Sequence, residues 1–116
     1  MNRKKELKEQ YRQLKPEMGV YMIRSNRSNK CLIEATPRLK ATINRVKFQL
    51  DFGSYPNREL QKEWAEYGEN NFIFEILEVL EYEKDETKTD YADELDLQRM
   101  DWEEKMANQH FEFYIK

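Results

Sequence analysis

Six basic side chains, Arg24, Arg27, Arg38, Lys40, Arg45 and Lys47, fall in the first half of this chain. Clustered cations are the residue type that phosphate binding requires. The imbalance around them is large: residues 1–47 hold 13 Lys or Arg against four Glu, a balance of +9. Residues 48–116 hold 7 Lys or Arg against 19 acids, a balance of -12, and the net charge is -3. Two readings of the basic set stay open. It lines a phosphate-binding face, or it is solvated surface whose charge the acidic half neutralises across one fold or between subunits. Other chemistries find less footing. His110, the single histidine, has no Ser, Cys and Asp constellation near it and reads as exposed and passive. Cys31, the single cysteine, excludes an internal disulfide and a multi-cysteine zinc site. Within its short apolar run it reads as a buried, inert thiol. The acidic run EYEKDETKTDYADE, residues 81–94, has neither glycine nor calcium-loop spacing, and is expected to be a solvated loop.

The elements that must position these residues follow from the hydrophobic pattern. Only 39% of the 116 residues are hydrophobic and 37% are charged, so one modest core is expected. Aromatics at 13% argue against disorder. No apolar run approaches a membrane span, and the charged start is followed by no apolar stretch, so the expectation is a cytoplasmic protein without a secretory signal. A polar helix is predicted over residues 2–14, with Leu7, Tyr11 and Leu14 on one narrow stripe and Pro16 stopping it. Gly19 to Arg24 and Cys31-Leu32-Ile33 read as two strands joined by a hairpin loop of more than two residues. Thr36 is predicted to cap a helix with Pro37 in its first turn, and that helix buries Leu39, Ile43, Val46 and Leu50. A second helix is expected from about Pro56-Asn57 to Tyr67-Gly68, burying Leu60 and Trp64. NFIFEILEVL, residues 71–80, reads as a strand covered on both faces. A last helix turns Leu95, Trp102 and Met106 inward, and HFEFYIK ends the chain as a short edge strand or partner-binding tail. The predicted class is α+β: a small antiparallel three-stranded sheet flanked by helices.

Gly19-Val20-Tyr21 opens the first strand, and Cys31-Leu32-Ile33-Glu34-Ala35 forms the second. In order and local sequence these resemble the GIY-YIG nuclease domain: the former is similar to the family's first triplet, and the latter stands where the second belongs. LKATINRVK, residues 39–47, is similar to the helix that carries the family's catalytic arginine and histidine. Phe48-Gln49-Leu50, Pro56-Asn57, Leu60-Gln61, Trp64, Tyr67-Gly68 and Asn71-Phe72 also match small bacterial members. The length of 116 residues predicts a single domain over 1–116, in which the resemblance covers a GIY-YIG-like core at 18–106, between a helical extension at 1–16 and a tail at 107–116.

The resemblance implies metal-dependent cleavage of a phosphodiester bond, with arginine neutralising charge on the phosphate and one glutamate holding the cation. Residue by residue, most of that machinery is replaced. Tyr21 keeps the first tyrosine. Leu32 stands at the second, Glu34 at the triplet's glycine, Thr42 at the arginine and Val46 at the histidine. Aligning the last helix on Trp102 puts Arg99 at the metal-binding glutamate. A three-residue shift would offer Asp96 as a weak ligand candidate instead. No cofactor is therefore expected, with Mg²⁺ or Mn²⁺ required if the domain cuts. The expected function is a catalytically inactive nuclease-like domain that binds DNA or RNA. The alternatives are an active endonuclease with a rearranged site, or a protein-interaction module, including a homodimer pairing the opposite charges.

Overall fold

The computed structural model describes residues 15–115, together with Arg3. The helix expected over 2–14 lies outside the described residues. Four strands form one sheet: β1 (Met18–Ser25), β2 (Lys30–Thr36), β3 (Phe72–Leu80) and β4 (Glu112–Phe113), in the order β3-β1-β2-β4. β1 runs antiparallel to both β2 and β3, and β4 lies parallel to β2. The expected antiparallel core is present, and the C-terminal segment adds a fourth strand at its edge. Among the described residues there are three α-helices longer than one turn: α1 (Leu39–Phe52), α2 (Arg58–Tyr67) and α3 (Ala92–Asn108). Among the described residues, no helix is long and apolar enough to cross a membrane.

The sheet separates two apolar layers, and strand parity decides which residue joins which. Tyr21, Ile23 and Leu32 point to one face, where α1 and α2 supply Leu39, Val46, Leu50, Leu60 and Trp64. Val20, Met22, Cys31 and Ile33 point to the other, where α3 supplies Met106 and Trp102. β1 is therefore apolar at both parities, as a central strand covered on both sides must be. β3, expected to be the doubly covered strand, is instead an edge: Ile76 is 47% and Val79 43% exposed. Its Glu75 and Glu78 fit that place, since charge on an edge strand discourages pairing with further chains.

Local chemistry sets the ends of the elements. The β1–β2 turn is closed by Ser25, whose Oγ accepts from the N–H groups of Arg27 and Ser28 at 3.0 and 3.1 Å. Asn29 adopts the left-handed conformation there, φ 59°. Thr36 does not cap α1 as expected. It still pairs with Gly19 in the sheet, and α1 begins two residues beyond Pro37, with Arg38 at its N-cap position. The Thr36 hydroxyl instead accepts the Arg38 N–H at 3.2 Å and shares a 2.7 Å hydrogen bond with the Thr42 hydroxyl, tying β2 to the first turn of α1. Gly53 ends α1 at φ 79°, and Asn57 caps α2 by accepting the Leu60 N–H at 3.0 Å.

A buried polar knot holds the C-terminal segment. Glu63 on α2 accepts hydrogen bonds from the Tyr114 hydroxyl (2.8 Å) and the Ser28 hydroxyl (2.7 Å), with Lys30 at 3.8 Å. Both Glu63 and Tyr114 are buried, so these partners replace the water that each would otherwise need.

Candidate functional site

An open cleft of about 690 Å³ lies between β1, β2, α1 and the loop that follows α1. Tyr21 and Glu34 face each other across the β1–β2 register, and Leu32, two residues before Glu34, shares that face. From α1 come Thr42, Arg45, Val46 and Gln49, whose spacing of three, one and three keeps them on one side of a helix. Six positions singled out from the sequence thus do converge: Tyr21, Leu32, Glu34, Thr42, Arg45 and Val46 all line this cleft. Leu32 and Val46 are also part of the core, at 2% and 3% exposure, so they give the cleft apolar surface.

The loop after α1 adds a residue that sequence reading missed. Tyr55 lines the cleft opposite Glu34 and Arg45. Gln61 fixes the loop by accepting the Tyr55 N–H at 2.9 Å and donating to the Leu50 carbonyl at 2.9 Å. In the sequence Tyr55 is one aromatic in a turn between two helices, and only the Tyr-Pro pairing hinted that its backbone is restrained.

Both cleft phenols are held in the protonated form. Burial is the main cause for Tyr21, raised well above the usual tyrosine range, with Tyr55 and Glu34 pushing the same way and Arg45 opposing them. Tyr55 is pushed up to about 12, again by burial first and by Glu34, with Arg45 opposing. Neither is an ionised nucleophile at neutral pH. Each can donate a hydrogen bond to an oxyanion. The cleft therefore offers one fixed cation and two neutral donors, with the Glu34 carboxylate set against an incoming anion.

The remaining candidates stand elsewhere. Arg99 and Asp96 lie on α3, which packs on the opposite face of the sheet, and neither lines the cleft. Arg99 pairs with Glu103 and lies 4.0 Å from Asp96. Of the six basic side chains only Arg45 faces the cleft. Arg24 is half-buried beside Cys31 on the α3 face. Arg27 stacks over Tyr67 at 5.5 Å and Lys47 over Phe74 at 4.9 Å. Arg38 lies near Tyr82, and Lys40 is exposed on α1. Cys31 is buried and its thiol is pushed up to about 11 by burial and by Glu103. His110 is exposed, at φ 69°.

A divalent cation is the group that the nuclease resemblance implies. Hard cations take several oxygen ligands, carboxylates above all. The cleft supplies one carboxylate, Glu34, under the field of Arg45, and its phenols are protonated. Among the described residues, no group of three or more His, Cys, Asp or Glu could hold a metal ion. The resemblance calls for a single glutamate, and the one carboxylate of this cleft shares its lining with the Arg45 guanidinium, a cation that opposes a second one.

The sequence matches no protein-family model and no curated protein. Solved structures do match. The fold is similar to that of the catalytic domain of intron endonuclease I-TevI in a single-substitution mutant form, with a TM-score of 0.65 and 22% identity over 86% of this chain and 94% of that one. It is also similar to the catalytic domain of homing endonuclease I-TevI, with a TM-score of 0.65 and 21% identity over 85% of this chain and 99% of that one. The chain has the GIY-YIG nuclease-domain fold.

Proposed function

We propose that this domain binds nucleic acid through the Tyr21–Arg45 cleft and does not cut it. One observation carries this reading: the cleft keeps Arg45 and two protonated phenols as donors, while Leu32, Thr42 and Val46 occupy the positions where the resemblance implies hydroxyl, cation and base. Donors alone can hold a phosphate. Cutting needs an activated nucleophile and charge stabilisation that grows in the transition state, and loss of one such group typically costs about 100- to 1,000-fold. With several replaced, hydrolysis falls towards the uncatalysed rate, though such losses do not simply multiply. The endonuclease fold shared with I-TevI supports nucleic acid as the ligand class, and the basic first half supports attraction of a polyanion. A cytoplasmic setting and a single domain remain part of the proposal.

The test is a titration of labelled DNA and RNA at several salt concentrations, with Arg45→Ala alongside. Binding should weaken steeply with salt, and Arg45→Ala should weaken it further and reduce the salt slope by about one. Binding that ignores salt, or an Arg45→Ala protein that binds as well as the parent, would remove the cleft from the proposal.

A second reading, a nuclease whose rearranged site uses Tyr21, Glu34, Asp96 and a basic side chain from Lys40 or Arg45, has one observation in its favour: Tyr21, Glu34 and Arg45 line one cleft. Asp96, its fourth part, lies outside the cleft. Cleavage abolished by Glu34→Ala and untouched by Asp96→Ala would favour this reading.

A further inference from the structure

On the solvent side of α1, Phe48 and Phe52 stack on each other with ring centroids 5.0 Å apart and planes 27° from parallel. They are 63% and 74% exposed, which is unusual for two large apolar rings on a helix that otherwise sorts its residues by face. Leu39, Val46 and Leu50 point into the core, and at 100° per residue Phe48 and Phe52 fall on the opposite side. Core packing therefore does not account for them.

The helix that carries the rings is basic. α1 carries Lys40, Arg45 and Lys47, and its one acid, Asp51, accepts a hydrogen bond from the Trp64 indole at 3.1 Å. Arg45 lines the cleft and stands three residues before Phe48, nearly one helical turn, so the ring pair continues from the cleft along the same helix. Lys47 turns away over Phe74, and Arg45 is the cation on the rings' own side of the helix. An exposed apolar pair beside a cation is complementary to a ligand that carries flat apolar faces and anions. Unpaired nucleotides have that chemistry: bases stack on aromatic rings, and phosphates meet Lys and Arg. In a duplex the base faces are already stacked on their neighbours and are not offered.

We propose that the outer face of α1, through Phe48 and Phe52 with Arg45 beside them, is a stacking platform for single-stranded nucleic acid leaving the cleft. This rests on the proposed function, and it narrows the ligand from nucleic acid in general to strands with unpaired bases.

The test compares two fluorescein-labelled strands of equal length by anisotropy at one salt concentration. One is an oligothymidylate and the other an abasic strand with the same number of phosphates. The parent protein should bind the oligothymidylate about ten-fold or more tightly than the abasic strand. Phe48→Ala/Phe52→Ala should bring the two affinities together, while Phe48→Trp/Phe52→Trp should keep them apart. Both substituted proteins should melt like the parent, since the rings are exposed. A parent that binds both strands equally overturns the platform and leaves nucleic-acid binding intact. A base preference that survives in the double-alanine protein also overturns it. If the parent binds neither strand, platform and proposed function fall together. If the double-alanine protein loses self-association and the parent shows no base preference, the ring pair is a contact between copies and the platform is wrong.

Discussion

At the scale of single residues, the cleft positions divide into two kinds. Leu32 and Val46 belong to the core, and trimming either should cost stability, about 2–5 kcal/mol for Leu32→Ala. Glu34 and Thr42 remain at the cleft wall, where Thr42 is engaged by Thr36. Retention of Gly19 says nothing about catalysis. A Cβ there would stand 2.0 Å from the Glu78 carbonyl oxygen, so the close approach of β3 requires glycine by itself. Glu34 is the informative residue, because it is the one carboxylate lining the cleft. Glu34→Gln is expected to strengthen nucleic-acid binding several-fold at low salt, with a smaller gain at high salt, where the repulsion is screened. Weaker binding in that variant would mean that Glu34 helps to hold the ligand, and would point back to a rearranged catalytic site.

At the scale of elements, the sequence pattern located nearly every strand and helix among the described residues but not their ranks in the sheet. NFIFEILEVL and GVYMIR are both apolar at both parities, and periodicity cannot say which of the two is covered on both faces. The hairpin fixed β1 next to β2, while the place of β3 at the edge follows from long-range pairing that no local signal encodes. The cleft positions Tyr21, Leu32, Glu34, Thr42 and Val46 were legible through the GIY-YIG resemblance, and strand parity and helix spacing are what bring them to one side. Tyr55 and the Glu63 knot were not, since each depends on loops brought together by tertiary contacts. That knot gives the C-terminal segment a defined structural role. Tyr114→Phe removes the hydrogen bond to Glu63 at a buried site and should lower stability by about 1–3 kcal/mol, measured by urea unfolding. An unchanged unfolding midpoint would show that Ser28 and Lys30 satisfy Glu63 without it.

At the scale of the molecule, the sheet separates the side that holds the cleft from the side that α3 covers. α1, α2 and the cleft occupy one face, and α3 closes the other with Met106 and Trp102. Buried phenols couple this architecture to pH. Tyr21, Tyr55 and Tyr114 all have their phenols raised, chiefly by burial. An unfolded tyrosine ionises near pH 10. Above that pH the folded chain holds protons that the unfolded chain has lost, so stability falls as pH rises. The tyrosines contribute no slope below about pH 10, and for Tyr55 the loss continues until about 12. Thermal melting followed by circular dichroism should show this alkaline decline, and Tyr55→Phe should make it shallower. An equally steep decline in that variant would show that Tyr55 is not held protonated.

Cleavage tests the central claim most directly. Supercoiled plasmid and single-stranded DNA would be incubated with the protein and Mg²⁺ or Mn²⁺, with Tyr21→Phe and Glu34→Ala proteins alongside, and binding read from the same samples on a native gel. The expected result is salt-sensitive retardation with no cut strands in any sample. Metal-dependent cleavage that both substitutions abolish would contradict it, and would make the Tyr21–Glu34–Arg45 cleft a working nuclease site.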